Sequence, residues 1–244
     1  MIVYGRNPVF EALRGRRKHA VTEVWATAGA AREPWLAAAE PRIVAGEEIE
    51  RRCGSGAHQG VCAEAGAYSY DSAARLLALD SPLIVALDQI QDPQNLGSIC
   101  RTAECAGVAG VVIPERRAAE VTPAVCKASA GAVEHLPIAR VRNVADFLAE
   151  ARGADCWCYG ASAGEQAGGR RPVPYDRPDY AGSGVVLVLG SEGEGLRPRV
   201  AKACDELIAL PLLGRIESLN VSAAAAALLY EILQRRRAGL DNSP

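Results

Sequence analysis

Two uninterrupted apolar runs, Leu83-Ile84-Val85-Ala86-Leu87 and Val185-Val186-Leu187-Val188-Leu189, constrain this chain more than any other feature. A strand with one wet face alternates apolar and polar residues. A run without alternation must be covered on both faces, the condition of a parallel strand packed between helices. Weaker runs of the same kind fall at residues 108–113, 136–141, 155–159 and 207–210. Helical patterns lie among them, over 96–106, 123–129, 144–152 and 196–204. This alternation predicts a parallel α/β sheet, which takes its ligands at the carboxyl ends of the strands.

The first quarter of the chain has a shorter rhythm. Strands are expected at 2–4, 21–27, 42–45 and 61–65, with helices over 34–39 and 47–52. Asn7-Pro8 marks a further helix start, with Asn as cap and Pro at the first helical position. The basic run Arg14-Gly15-Arg16-Arg17-Lys18-His19 reads as a solvated loop. The organisation expected is a small α/β domain over residues 1–67, a linker over 68–80 with a short helix at 73–79, and a larger domain over 81–244. Removal of residues 1–67 is expected to leave the remainder folded. Residues 160–184, rich in Gly, Pro and Arg, read as a long surface loop.

Apolar residues at 49% and charged residues at 23% supply a sizeable core, so disorder is excluded as a class. The net charge of −2 gives no global basic field, so any surface for nucleic acid must be local. No apolar run approaches the roughly 18 residues of a membrane span. Three scattered histidines and eight cysteines make no metal-ligand spacing. No metal is expected, and the cysteines are read as free thiols of a cytoplasmic protein. The nearest pair, Cys156 and Cys158, is expected on opposite faces of its strand.

Polar loops follow three of the strands. After the first apolar run, Asn95 is expected to cap a helix whose apolar stripe is Leu96, Ile99, Cys100, Ala103 and Ala106. Arg101 lies off that stripe, and a surface pair with Glu104 is the plain alternative to a role in chemistry. After the second run, Gly190-Ser191-Glu192-Gly193-Glu194-Gly195 lets a ligand approach the backbone closely. Its glycine spacing is neither the dinucleotide fingerprint nor a P-loop. Its glutamates repel phosphate, so a neutral or cationic ligand suits it better. The third loop runs from the apolar stretch Leu210-Pro211-Leu212-Leu213 to Ser218-Leu219-Asn220-Val221-Ser222 and an Ala-rich helix over 223–233. Asn220 or Ser222 can cap that helix, and plain capping is the alternative reading of Ser218 and Asn220.

In this order and on these elements, Asn95-Leu96-Gly97-x-x-x-Arg101, Gly190-Ser191-Glu192-Gly193-x-Gly195 and Leu210-Pro211 through Ser222 resemble the signature motifs of the SpoU/TrmH branch of the SPOUT superfamily. Those proteins are RNA ribose 2′-O-methyltransferases. Tyr4-Gly5-Arg6-Asn7-Pro8-Val9, His58-Gln59-Gly60-Val61 and Lys127-Ala128-Ser129-Ala130-Gly131-Ala132 resemble the rRNA subgroup, most nearly the RlmB type acting on a guanosine of 23S rRNA. The resemblance implies a SPOUT domain with a trefoil knot, an N-terminal L30e/L7Ae-like RNA-binding domain, and a homodimer with its active site near the subunit interface. It implies S-adenosyl-L-methionine as cofactor, contacted at Gly190, Leu210 and Leu219, and chemistry at Asn95, Arg101, Glu192, Ser218 and Asn220. In the family the arginine is regarded as the base. A guanidinium stays protonated in proteins, so Arg101 is read here as holding the target phosphate and orienting the 2′-hydroxyl. Proton loss is then assisted by solvent or Ser218, and Glu192 fixes Arg101 or Asn95. A tRNA or another rRNA nucleotide is the alternative target, and a non-catalytic RNA-binding or ribosome-assembly protein is the alternative of another class. The motif loops contain no aromatic residue to sandwich a flipped base, which favours the ribose as acceptor.

Overall fold

The computed structural model describes residues 1–162 and 169–241, with side chains to residue 238. In chain order it contains β1 (Ile2–Tyr4), α1 (Arg6–Arg14), β2 (Val21–Ala26), α2 (Pro34–Ala37), β3 (Arg42–Ile43), α3 (Gly46–Cys53), β4 (Val61–Ala65) and α4 (Ala73–Leu77). There follow β5 (Leu83–Asp88), α5 (Pro93–Cys105), β6 (Gly110–Pro114), α6 (Pro123–Ala128), β7 (Ile138–Val141), α7 (Val144–Gly153) and β8 (Cys156–Ala161). The last are β9 (Val173–Pro174), β10 (Gly184–Gly190), α8 (Pro198–Ala203), β11 (Glu206–Ala209) and α9 (Val221–Asp241).

The strands from β5 onward form one seven-stranded sheet in the order β7-β6-β5-β10-β8-β11-β9, every neighbour parallel. The two apolar runs are the adjacent strands β5 and β10 in its middle, where burial on both faces is greatest. Leu83, Val85, Leu87, Val185, Leu187 and Leu189 face a core layer closed by α5, α6 and α9. Ile84, Ala86, Val186 and Val188 face the opposite layer, closed by α7 and α8.

Two expectations for this sheet need correction. The stretch 160–184 is not all loop: β9 pairs with β11 at the edge, Ile208 opposite Val173. Pro174 lacks an N–H, which an edge strand tolerates on its unpaired side. Tyr180 of the same stretch is buried and sets its ring edge-on to Tyr159 at 4.9 Å. Residues 163–168 of the expected loop lie outside the described residues. The second correction concerns Cys156 and Cys158, which face the same core layer, because residues two apart on a strand share a face. All the cysteines are free. Burial raises the thiol pKa of Cys100 and Cys204 to about 12, and of Cys62 and Cys126 to about 11, so these are inert packing residues.

The N-terminal sheet has the order β1-β4-β2-β3. Helix α1 begins at Arg6 after Gly5, two residues earlier than a cap at Asn7 allows. Gly5 has φ 94°, and the Arg6 N–H is satisfied from afar by Gln59 Oε1 at 3.0 Å. The same Gln59 oxygen accepts from Lys127 Nζ at 3.0 Å, so two of the N-terminal motifs meet α6. The units are joined, not merely tethered. One apolar core contains Val3, Val9 and Val61 together with Val125 and Val133. Between the units, Tyr68 Oη donates to the Val133 carbonyl at 3.2 Å and the Asp71 N–H to the Ile138 carbonyl at 2.8 Å. The basic run is not a solvated loop either. Arg17 is 6% exposed and forms an ion pair with Glu134, which is 0% exposed, while Arg16 pairs with Asp71.

Candidate active site

The carboxyl ends of β5 and β10 are neighbours in register, Gly190 opposite Asp88. From β5 the chain winds outward through β6 and β7, whereas the other neighbour of β10 is β8. The winding therefore reverses between β5 and β10, and such a switch point leaves a crevice beyond the strand ends. The loops after β5 and β10 leave this crevice side by side. Strand β11 ends two strands away, and its long loop returns to the crevice with Asn220 at the start of α9.

These loops bring together three of the predicted residues. Asn95 Nδ2 donates to Glu192 Oε1 at 2.9 Å, and Asn220 Nδ2 donates to the same oxygen at 2.7 Å and to Asn95 Oδ1 at 3.0 Å. The carboxylate can only accept, so it turns both amide nitrogens toward itself and leaves both amide oxygens free to accept. The Asn220 Oδ1 takes the Ser222 N–H at 2.9 Å and the Ser222 hydroxyl at 2.5 Å, which caps α9. Asn95 is 6% exposed with both ends of its amide bonded. It does not cap α5: Asp92 does, accepting the Gln94 N–H at 2.9 Å, with Pro93 at the first helical position. Hydrogen bonds to a charged group contribute about 1.5–3 kcal/mol each, so Glu192 is the tie that holds the loops in one arrangement.

Arg101 and Ser218 stand apart from this cluster. Arg101 is exposed on α5, off the buried stripe of Leu96, Ile99, Cys100 and Ala103. Among the described residues it makes no ion pair or hydrogen bond, so the alternative of a Glu104 pair is absent and Glu192 fixes Asn95 rather than Arg101. Ser218 is likewise exposed and has no hydrogen-bond partner among the described residues. Both groups are free to meet a substrate.

The residues expected at the cofactor differ in how they are held. A Cβ on Gly190 would lie 2.2 Å from the Gly195 carbonyl carbon, because Ser191 and Gly195 exchange backbone hydrogen bonds of 3.1 and 3.0 Å that fold the loop back on itself. Gly193 and Gly195 support that turn with φ of 86° and 67°. Leu210 is half-buried at the end of β11, Leu219 is 48% exposed, and Leu213 between them is 97% exposed. Backbone groups of 211–219 make no hydrogen bond among the described residues. An apolar wall with uncommitted N–H and C=O groups fits a ligand carrying a planar base and held through the main chain.

One structural residue of the site, Asp88, is not read from the sequence, and the motif glycine Gly97 gains a physical reason. Asp88, 0% exposed at the end of β5, accepts the Arg197 N–H at 3.0 Å and its Nε at 2.8 Å, which pins the far end of the Gly190 loop to the next strand. Gly97 is required by close packing: a Cβ there would lie 2.4 Å from that of Ala128. Helix α5 therefore rests directly on the Lys127-Ala128-Ser129 segment.

Residues 82–230 match the family described as SpoU rRNA Methylase, and residues 2–71 that described as RNA 2′-O ribose methyltransferase substrate binding. YacO of Bacillus subtilis (strain 168), named as a TrmH family tRNA/rRNA methyltransferase, is 36% identical over 246 residues, 96% of this chain and 95% of its own. An AdoMet-bound rRNA methyltransferase from Sinorhizobium meliloti superposes with a TM-score of 0.77 at 26% identity, over 96% of this chain and 86% of that one. The SpoU methyltransferase AviRb from Streptomyces viridochromogenes, in complex with the cofactor AdoMet, superposes at 0.79 with 24% identity over 98% and 91% of the two chains, a likeness of fold.

Proposed function

The chain belongs to the SpoU rRNA methylase family, and we propose that within it the protein methylates the ribose 2′-hydroxyl of a guanosine in 23S rRNA. It is an RNA methyltransferase, and its cofactor is S-adenosyl-L-methionine. The observation that supports a methyl-transfer site is the Asn95–Glu192–Asn220 cluster, which joins the three motif loops beside the apolar stretch from Leu210 to Leu219, while the guanosine target rests on the resemblance of the motifs. We carry over the trefoil threading and the cytoplasmic location of the family with this reading.

Bound S-adenosyl-L-methionine supplies an electrophilic methyl on a sulfonium. Everything else falls to the chain. Glu192 puts negative charge beside the Gly190 loop, which favours a cationic ligand and disfavours phosphate there. The fixed amides of Asn95 and Asn220 keep the loop ends from shifting, so that the hydroxyl and the methyl can be held in line. Arg101 offers a planar fork of donors to the target phosphate. The uncommitted Ser218 hydroxyl accepts a hydrogen bond from the 2′-hydroxyl and passes its own proton on to water, so that solvent is the final acceptor.

The acceptor atom is testable directly. After methylation of rRNA with labelled cofactor, alkaline digestion should leave the label in a dinucleotide, since a 2′-O-methyl blocks cleavage of the adjoining phosphodiester. Label only in mononucleotides with a methylated base would exclude the ribose. Label in tRNA instead of 23S rRNA would support the other target that the name of YacO includes.

Homodimerisation is part of the proposal. Leu213, Ile216 and Tyr230 are 97%, 76% and 51% exposed, on the loop before α9 and on α9 itself. Large apolar side chains exposed on this loop and helix are stabilised by a covering partner. Sedimentation equilibrium at micromolar concentration should give the dimer mass, and a fully active monomer would defeat this part of the reading.

A further inference from the structure

We propose that Arg116, Arg117 and Arg142, at the carboxyl ends of β6 and β7, form a phosphate-binding surface for the RNA strand flanking the methylated nucleotide. The inference rests on the RNA-methyltransferase reading and adds to it where the strand runs. Pro114 pairs with Val141 in the β6–β7 ladder, and the Glu115 N–H donates to the Val141 carbonyl at 2.9 Å. The residues that follow, Arg116 and Arg142, therefore emerge side by side and line, with Glu115, a recess of about 200 Å³. The loop carrying Arg116 and Arg117 is tied to the site: the Ala119 N–H donates to the Ile90 carbonyl at 2.8 Å, in the segment that leads from β5 to Asn95. The surface thus lies on the same edge of the sheet as the crevice, one and two strands from β5, on the side away from the cofactor loops.

The charge there is unspent. All three arginines are exposed, and none makes an ion pair or hydrogen bond among the described residues. Their neighbour Arg140 shows the contrast, held by Glu120 at 3.2 Å, by the Glu115 carbonyl at 3.0 Å and over the Tyr70 ring at 5.1 Å. That leaves Glu115 as the one carboxylate lining the recess, beside the guanidinium groups of Arg116 and Arg142. Like charges crowded on one edge repel one another, a cost that a polyanion reverses. In a chain of net charge −2, RNA affinity must come from such local patches. An acidic protein would satisfy the same charges, but the tie to the β5–α5 segment favours the strand that enters the crevice.

The test uses the full-length Arg116→Ala/Arg142→Ala double variant and a labelled 23S rRNA transcript, with binding measured across a salt series. Arg117 is left alone because its φ of 58° would mix backbone strain into the result. The slope of log affinity against log salt should become shallower by about 1.4, roughly 0.7 for each lost single-strand phosphate contact. The Arg116→Lys/Arg142→Lys variant should restore it, and S-adenosyl-L-methionine affinity should match the wild type in both. An unchanged slope in an alanine variant that binds cofactor normally overturns the proposal, and so does a slope that falls only together with cofactor affinity. Wild-type protein that binds cofactor but no RNA would instead overturn the functional reading beneath it.

Discussion

Arg101→Ala should lower methyl transfer by about a hundred- to a thousandfold, the range seen when one preorganised donor is removed from a reacting centre, while S-adenosyl-L-methionine affinity stays within a few-fold. The residue is exposed, off the buried stripe of α5 and without a partner among the described residues, so the fold does not spend it. Alanine is also the better helix former at an exposed position. The melting temperature should therefore not fall. Arg101→Lys should sit between the two, because an ammonium keeps the charge but loses the bidentate fork that suits a phosphate. An alanine variant that melts early, or that loses activity only because it no longer binds cofactor, would return Arg101 to a structural role.

How much of this was legible beforehand depended on whether the cause was local. Strands β5 and β10 could be read because burial on both faces leaves an uninterrupted apolar run, and the two runs are the paired central strands. The start of α5 differs from the expected one although its signal is local. Asp92-Pro93 offers a cap and a first-turn proline, three residues before Asn95. The meeting of Asn95, Glu192 and Asn220 could not be derived from spacing, since the hydrogen bonds join residues 97, 28 and 125 positions apart. Residue types and strand ends were readable, but strand order was not. Resemblance of motifs supplied what spacing could not. Asp88 was invisible for a related reason: it looks like the polar end of a strand until Arg197, 109 residues on, is placed against it. The run from Arg14 to His19 is the opposite case, where local charge suggested solvent and a distant carboxylate decided otherwise.

That distant carboxylate makes Arg17→Met the substitution with the largest expected effect on stability. Arg17 reaches Glu134 through Nε at 2.9 Å and through a second, shorter bond from Nη2, and its Nη1 donates to the Gly66 carbonyl at 3.0 Å. Its guanidinium also lies 5.4 Å over the Tyr68 ring, so one side chain clamps the N-terminal unit, the connecting segment and the methyltransferase unit. Burial by itself would lower the Arg17 pKa, but the hydrogen bond and charge of Glu134 outweigh it and hold the pKa above its ordinary value. Methionine fills much of the same volume and removes the charge, which strands Glu134 in a site where it is 0% exposed. Removing one partner of such a pair costs about 3–5 kcal/mol. For a chain of this length that corresponds to a fall of roughly 6–20 °C in melting temperature. Replacing both, Arg17→Met with Glu134→Met, should recover most of the loss, because two apolar side chains of similar volume leave no uncompensated charge. The cycle separates pairing from packing. A single variant that melts within a degree of the wild type would mean that the pair contributes nothing to holding the units together, and their shared apolar core would then be the whole of the joint.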